Sequence, residues 1–160
     1  MITNERQYKI TMTEIRNFEH AINEMSVPMD DESESDALGR EIQLDAMRSQ
    51  LADLRAETTE YDDLRSGRTR LVKIESFDQL PRAIIAARIA AGLTQADLAE
   101  RLGAHEQQVQ RYEATNYASA SMRRVSEVIE ALGMTVREEI LLPGRDDAAS
   151  ASLSRDQDSA

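Results

Sequence analysis

The residue types that could do chemistry gather in one short polar segment of the chain. Between Ala104 and Ala114, the side chains of Gln107, Gln110 and Arg111 are long and polar and fall on one side of a predicted helix. A glutamine can bind adenine through two hydrogen bonds, and an arginine can bind guanine in the same way, each contact discriminating against a wrong base by about 1–3 kcal/mol. The segment therefore predicts a helix that reads base edges in the major groove of duplex DNA.

Other chemistries find little support in the sequence. The chain has no cysteine, which excludes disulfides, thiolate catalysis and every cysteine-based zinc site. Its two histidines, His20 and His105, have no nucleophile, paired partner or phosphate-binding glycine loop near them in sequence. We therefore expect no enzyme activity, no catalytic residue, no metal site and no cofactor.

Four short amphipathic helices are predicted to position the polar segment. Pro81 suits the first turn of the first helix, which ends at Gly92, and Thr94 caps a second helix that ends at Gly103. The third helix carries the polar segment, and Ser121 caps the fourth. The second and third helices, joined by a short glycine-containing turn, form a predicted helix-turn-helix. The residues expected to face inwards include Ile85, Ile89, Leu98, Leu102, Val109, Tyr112, Met122, Val125, Ile129 and Leu132.

Several positions between Leu93 and Glu113 follow a known family pattern. They are Leu93, Gln95, Leu98, Ala99, Leu102, Gly103, Val109 and Glu113. On these residues, a region from about Leu80 to Val136 resembles the Xre or phage-repressor type of helix-turn-helix transcription regulator. The resemblance implies a lambda-repressor-like core of four to five helices that binds duplex DNA.

The resemblance also implies roles for individual residues. The first residue of the second helix, Gln95, would contact a phosphate, early and later positions of the third helix would read bases, and the loop after that helix would approach the DNA backbone. Arg88 and Glu113 stand where the family has a structural ion pair. With Arg123 and Arg124 as phosphate contacts, the predicted DNA-binding residues are Gln95, Glu106, Gln107, Gln110, Arg111, Asn116, Tyr117, Ser119, Arg123 and Arg124.

Some positions depart from the family pattern. His105 stands where Ser or Thr usually caps the third helix, and it is a poor cap. Glu106 could accept a hydrogen bond from cytosine, or nearby phosphates could repel it. Arg123 and Arg124 could equally be solvated surface residues. Tyr117 is expected to be exposed in the loop.

The first part of the chain is acidic and is predicted to form a helical hairpin. Residues 1–65 carry seven Lys and Arg against sixteen Asp and Glu, a net charge of −9 out of −11 for the chain. A capping box at Thr11 predicts a helix over Met12–Glu24, and Ser33 or Ser35 would cap a second helix running towards Leu64. Apolar residues from Leu44 to Tyr61 form a seam that packs either on the first helix or on another chain.

The fold class predicted is mostly α, with two short strands flanking the helix-turn-helix core. Leu71–Ile74 and Met134–Leu142 are the expected strands. We expect an acidic helical region for partner binding or dimerisation at 1–67, a DNA-binding domain at 68–143 and a disordered tail at 144–160.

Partners and location follow from charge and from the family. One helix-turn-helix contacts one half-site, so a homodimer on a near-palindromic operator is expected. The acidic region predicts a basic protein partner, as in antitoxins of the HigA type, which repress their own operon and neutralise a toxin. The alternative is a plain, phage-like repressor whose N-terminal helices only dimerise. Since no signal sequence or spanning run of about 20 apolar residues is found, we expect a cytoplasmic protein without a membrane partner.

Overall fold

The fold is described for residues 1–27, 33–137, 139 and 142 of a computed structural model. Within those residues it is built from six α-helices and one short 3-10 helix at Phe77–Gln79. The helices are α1 (Glu5–Met25), α2 (Glu34–Arg65), α3 (Leu80–Ala90), α4 (Gln95–Arg101), α5 (Glu106–Ala114) and α6 (Met122–Ala131).

Helix α1 begins earlier than the sequence predicted. The side chain of Asn4 accepts a hydrogen bond from the backbone N–H of Gln7 at 2.9 Å, which caps the helix at Glu5. Thr11 is not a cap but a buried residue inside the helix, in the same stripe as Ile15. The prediction of a capping box at Thr11 was wrong because Asn4 offers a cap two turns upstream.

Helix α2 agrees with its prediction and packs on α1 as a hairpin. Ser33 accepts a hydrogen bond from the backbone N–H of Asp36 at 3.2 Å and caps the helix. The seam from Leu44 to Tyr61 is turned towards α1, and the ring of Tyr61 stacks on Tyr8 with centroids 5.2 Å apart. The seam is therefore occupied within the chain.

Helices α3 to α6 enclose the most deeply buried side chains of the described residues. Ile84, Ile85, Leu98, Val109 and Val128 are almost fully removed from water. The predicted helix ends at Gly92 and Gly103 are observed, and α6 ends in the same way before Gly133; each of these glycines has a positive φ. Met122, by contrast, was expected inside and is exposed, because it lies at the first turn of α6.

One hydrophobic cluster joins the hairpin to this helical core. Ile2, Tyr61 and Leu64 from the N-terminal part belong to the same cluster as the buried residues of α3 to α6. The expected boundary at residue 67 falls in the loop after α2, but apolar contacts cross it. The hairpin is thus anchored to the core by packing as well as by the chain.

The two predicted flanking strands are not found in the part of the chain that the structure describes. Leu71–Ile74 is irregular, with Leu71 74% exposed, while Ile74 and Met134 pack on the hydrophobic cluster instead of pairing. An isolated pair of edge strands has little stability, since each lacks a neighbouring sheet. Much of the second expected strand, and the whole tail at 144–160, lie outside the described residues.

Candidate nucleic-acid interface

Helices α4 and α5 form a compact helix-turn-helix. Helix α4 ends at Arg101, the chain turns at Gly103 with φ +58°, and α5 begins at Glu106. Ala99 on α4 and Val109 on α5 are both buried where these helices pack. The small side chain of Ala99 lets the two helices approach closely, so the opposite face of α5 is turned to solvent.

The solvent face of α5 carries the predicted base-reading residues. Glu106, Gln107, Gln110 and Arg111 are all exposed. Among the described residues, the side chains of Gln107 and Arg111 make no hydrogen bond or ion pair, and they stand one turn apart. Their amide and guanidinium groups are therefore free to bind an external partner.

Glu106 is not free in the same way. Its carboxylate accepts a hydrogen bond from the side-chain amide of Gln110 at 2.9 Å. This contact fixes Gln110 by its N–H group and leaves its carbonyl oxygen as an acceptor. Whether Glu106 reads a base stays a prediction, and its rotamer is tied to that of Gln110.

The start of α5 lacks a side-chain cap. His105 occupies the cap position, but its imidazole makes no capping hydrogen bond, as the sequence indicated. At the start of α4, by contrast, Thr94 and Asp97 form the predicted capping box, with distances of 3.1 Å and 2.8 Å. Hydrogen bonds from Thr94 hold the pKa of Asp97 below its usual range. The reading helix is thus the less firmly capped of the two.

The predicted structural ion pair is present and buried. The guanidinium of Arg88 donates to both carboxylate oxygens of Glu113, from Nε at 2.6 Å and from Nη2 at 2.8 Å. Gln95 also donates to Glu113, through its Nε2 at 2.7 Å. This bond orients the half-buried Gln95 amide at the first residue of α4 and leaves its second amide hydrogen available. The contact of Gln95 with a phosphate stays a prediction.

Arg88 also donates hydrogen bonds to two backbone carbonyls, and neither bond was predicted from the sequence. Its Nη1 donates to the carbonyl of Leu93 at 2.8 Å, and its Nη2 donates to the carbonyl of Thr3 at 2.6 Å. A buried guanidinium needs such partners because its N–H groups have lost their water. The same arginine therefore links the N-terminal segment, the turn before α4 and the end of α5. No local signal pointed to Thr3, since it lies far from Arg88 in sequence.

The loop after α5 differs from its prediction at Tyr117. This residue is only 4% exposed and stacks on Tyr112, with ring centroids 6.0 Å apart, so the expectation that it is exposed for DNA contact was wrong. Its hydroxyl has no hydrogen-bond partner among the described residues, and burial raises its pKa well above the usual value. Asn116 and Ser119 are exposed, and the Ser119 hydroxyl lies 3.1 Å from that of Thr115.

A helix-ending motif explains the burial of Tyr117. The backbone N–H of Tyr117 bonds the carbonyl of Tyr112, and that of Asn116 bonds the carbonyl of Glu113, with both Asn116 and Tyr117 at positive φ. This is the Schellman arrangement, in which the residue after the left-handed position packs back on the last turn. The sequence signal was Asn116 just beyond the helix, followed by a large apolar side chain.

The two arginines predicted to contact phosphates both have partners within the chain. Arg123 and Arg124 pair with Glu127 at 3.2 Å and 2.9 Å. A third arginine, Arg101, donates to the carbonyl of Ala131 at 3.2 Å. Exposed pairs of this kind contribute about 0–1 kcal/mol, so a phosphate could replace the carboxylate at little cost. Their role in DNA binding stays a prediction.

Two further properties concern the described part of the chain as a whole. No helix there is long and apolar enough to cross a membrane. No group of three or more His, Asp or Glu side chains is placed there to hold a metal ion.

Comparison with known families identifies the domain. Residues 84–138, about a third of the chain, match the family model described as "Helix-turn-helix", which is the Xre or lambda-repressor type. A search of curated proteins and a search of solved structures each found no match. The matched region runs from α3 through α6, so the resemblance drawn from the sequence is confirmed for the domain. The family is one of DNA-binding transcription regulators.

Proposed function

We propose that this protein is a sequence-specific transcription regulator that represses its own operon as a homodimer and also neutralises a toxin, as an antitoxin does. The observation that carries the DNA-binding part is the free polar face of α5. Gln107 and Arg111 are exposed there without partners among the described residues, on a domain of the helix-turn-helix family. The proposal is for a binding protein, and no catalytic step is part of it.

In this proposal α5 enters the major groove of duplex DNA. Arg111 binds guanine through two hydrogen bonds and Gln107 binds adenine, while Glu106 and Gln110 act as one hydrogen-bonded unit beside them. Gln95, oriented by Glu113, contacts a phosphate near the N-terminus of α4. These contacts fix both the register and the sequence preference.

The charge distribution adds selectivity to this binding. Residues 66–143 carry ten basic and ten acidic side chains, and residues 1–65 carry a net charge of −9. Sequence-independent affinity comes mainly from phosphate neutralisation, so a chain with this balance binds random DNA weakly. We expect the operator to be distinguished mainly by the contacts of α5.

The DNA-binding proposal is tested with Arg111→Ala on a duplex from upstream of the gene, by fluorescence anisotropy. Loss of one bidentate base contact should weaken binding by about 1–3 kcal/mol and relax the preference at one position. Arg16→Ala, which removes an exposed arginine from α1, is the matched control and should bind as the wild type does. Unchanged binding by Arg111→Ala would contradict the base-reading assignment.

The antitoxin part of the proposal rests on the acidic hairpin. A net charge of −9 over 65 residues exceeds what a dimer contact requires and complements a basic partner. The partner expected is a small basic protein encoded beside this gene.

The test of that partner uses surface substitutions. Deleting residues 1–65 would remove Ile2, Tyr61 and Leu64 from the shared cluster and disturb the core. The triple variant Glu14→Gln, Glu24→Gln and Glu34→Gln instead lowers the charge at exposed positions. It should bind the neighbouring basic protein more weakly than the wild type does. If the wild type forms no complex with that protein, the antitoxin part is wrong.

A second candidate is a plain repressor of the phage type, in which the hairpin serves only for dimerisation. One observation favours it. The hairpin shares its hydrophobic cluster with the helix-turn-helix core and is tied to Arg88 through the Thr3 carbonyl, so it supports the fold of the reading domain itself. An isolated gene with no adjacent basic reading frame would support this candidate.

A further inference from the structure

Helix α2 carries a second row of residues on the face turned away from α1. Its members recur at alternating gaps of four and three, the spacing of a helix that packs along another helix. All are exposed, and the two largest, Leu38 and Ile42, are 59% and 63% exposed. The outer row consists of Leu38, Ile42, Asp45, Ser49, Ala52, Ala56 and Thr59.

We propose that the outer row binds a second copy of this chain, with the two α2 helices antiparallel. The row has large residues in its first half and small ones in its second. In an antiparallel pair centred near Met47, Leu38 lies opposite Ala56 of the second copy, and Ile42 lies opposite Ala52. Each large side chain then meets a small one, which permits close packing along the row.

The polar centre of the row fits the same arrangement. Asp45 lies opposite Ser49 of the second copy, so the carboxylate can accept a hydrogen bond from the hydroxyl, twice by symmetry. A parallel pair would instead place Asp45 against Asp45, large residues against large, and small against small. Like charges would repel and gaps would remain between the alanines. The composition of the row therefore favours the antiparallel pair.

One charged pair beside the row is complementary across the twofold axis. Glu41 lies opposite Arg55 of the second copy, again twice by symmetry. Arg48 lies opposite its own copy at the centre of the same edge, and within each chain its charge is paired with Asp45 at 3.2 Å. Arg55 bonds Glu19 within the chain at 2.7 Å, but this pair is exposed, and the guanidinium has further N–H groups for a second carboxylate. On the other edge, Gly39 and Ala46 are small and allow the helices to approach.

Two other candidate dimer surfaces are not available among the described residues. The inner seam of α2 is occupied by α1, and the two expected strands are not formed there. The acidic charge of the hairpin opposes association at low salt, so we expect the dimer to tighten as salt rises and screens that repulsion. DNA binding should show the opposite salt dependence.

This inference builds on the homodimer of the proposed function, but its test contains no DNA, so the two can fail separately. The full chain has no cysteine, and Glu34→Cys, at an exposed position of α2 outside the outer row, therefore provides a single site for a nitroxide label. Residue 34 faces residue 60 of the second copy, so the two labels should be about 39 Å apart along the axis at 1.5 Å per residue. A parallel pair would bring them to roughly one interhelical spacing, about 10 Å. Dipolar electron spin resonance distinguishes these distances, and the short distance would overturn the proposal.

Light scattering tests the surface itself. Ile42→Asp should weaken the dimer at least about tenfold by placing a charge in the packed row. Met122→Asp adds the same charge at an equally exposed site on α6 and should leave the dimer unchanged. Ala52→Leu adds no charge, and it should also weaken the dimer because a large side chain would then face Ile42 of the second copy. Circular dichroism checks that each variant is folded.

Two further results would overturn the proposal. The wild type could be a monomer at high micromolar concentration, or Ile42→Asp and Ala52→Leu could both dimerise as the wild type does. If the wild type is a monomer and Ile42→Asp also loses a basic protein partner, the outer row belongs to that partner.

Discussion

The hairpin and the helix-turn-helix core use similar interactions in very different surroundings. In the core, the Arg88–Glu113 pair is almost fully buried, and residues such as Leu98 have no exposed surface. In the hairpin, the Arg55–Glu19 pair is exposed, and the apolar contacts form one row between two helices. The comparison indicates that burial, not the kind of contact, decides how firmly each region is held. The core can therefore present α5 in a fixed position, while the hairpin offers outward surfaces for partners.

The strongest way to break this comparison is to remove one carboxylate from each region. Glu113→Ala leaves Arg88 buried without its partner and should lower the free energy of unfolding by about 3–5 kcal/mol. Glu19→Ala removes the partner of the exposed Arg55 and should cost about 1 kcal/mol or less. Urea unfolding measures both. Equal effects would show that burial does not separate the two regions.

The same contrast applies to apolar side chains. Leu98→Ala, at a fully buried site in α4, should lower the free energy of unfolding by about 3–5 kcal/mol, since it leaves a cavity. Leu54→Ala, at a half-buried site in α2, should cost about 1–2 kcal/mol, because part of that side chain already contacts water. A larger loss for Leu54→Ala in urea unfolding would contradict this ranking.

The elements predicted correctly from the sequence were those fixed by local chemistry. The capping box at Thr94, the cap at Ser33 and the glycine at Gly103 each act within one helical turn, so their signals are visible in the sequence. The start of α1 was missed because Thr11 and Glu14 match the usual Ser/Thr–Glu capping box more closely than Asn4 and Gln7 do, although Asn4 is the residue that caps the helix. Local reading was sufficient for the ends of α2 and α4 but not for α1.

The features missed at the site depend on distant contacts. The hydrogen bond from Arg88 to the Thr3 carbonyl joins residues 85 positions apart, and no pattern of apolar spacing in the sequence predicts it. The expected strand at Leu71–Ile74 required a partner that composition cannot supply. Tyr117 was predicted to be exposed because it lies in a loop. The prediction did not include the helix-ending motif that turns its side chain inwards. The exposed face of α5 was predictable because it follows from helical spacing alone.

Removing a tyrosine hydroxyl should change the free energy of unfolding in opposite directions in the core and in the hairpin. Tyr117→Phe in the core removes a buried hydroxyl without a partner and should raise the free energy of unfolding by about 1 kcal/mol. Tyr8→Phe in the hairpin removes a hydroxyl that donates to Asp62 at 3.1 Å and should lower it by about 0.5–1.5 kcal/mol. Thermal unfolding of both variants measures these changes. A change in the same direction for both variants would contradict the expectation.

Alkaline pH should weaken the fold through the same groups. Burial is the main cause that raises the pKa of Tyr117, and also that of Tyr8 and Tyr61. With a raised pKa, the folded state keeps protons that the unfolded state loses, so stability is full below about pH 10 and falls as pH rises further. Urea unfolding between pH 9 and 11 should show this loss, and Tyr117→Phe should make it shallower. A stability that does not change over this range would contradict the assignment.

The smallest effect expected concerns the start of the reading helix. His105→Ser supplies the cap that α5 lacks and should raise the free energy of unfolding by about 0.5–1 kcal/mol. Thr94→Ala removes an existing cap from α4 and should lower it by about 1 kcal/mol. If His105→Ser is destabilising in urea unfolding, His105 makes a contribution that capping does not explain.

The central claim is that the exposed face of α5 reads the sequence of duplex DNA. The most direct measurement is selection of bound sequences from a random duplex library at low salt by the full chain, beside the double variant Gln107→Ala and Arg111→Ala. The account predicts one recurring sequence for the wild type and its loss in the double variant, with both proteins folded by circular dichroism. No enriched sequence for the folded wild type, or the same sequence for the double variant, would contradict it.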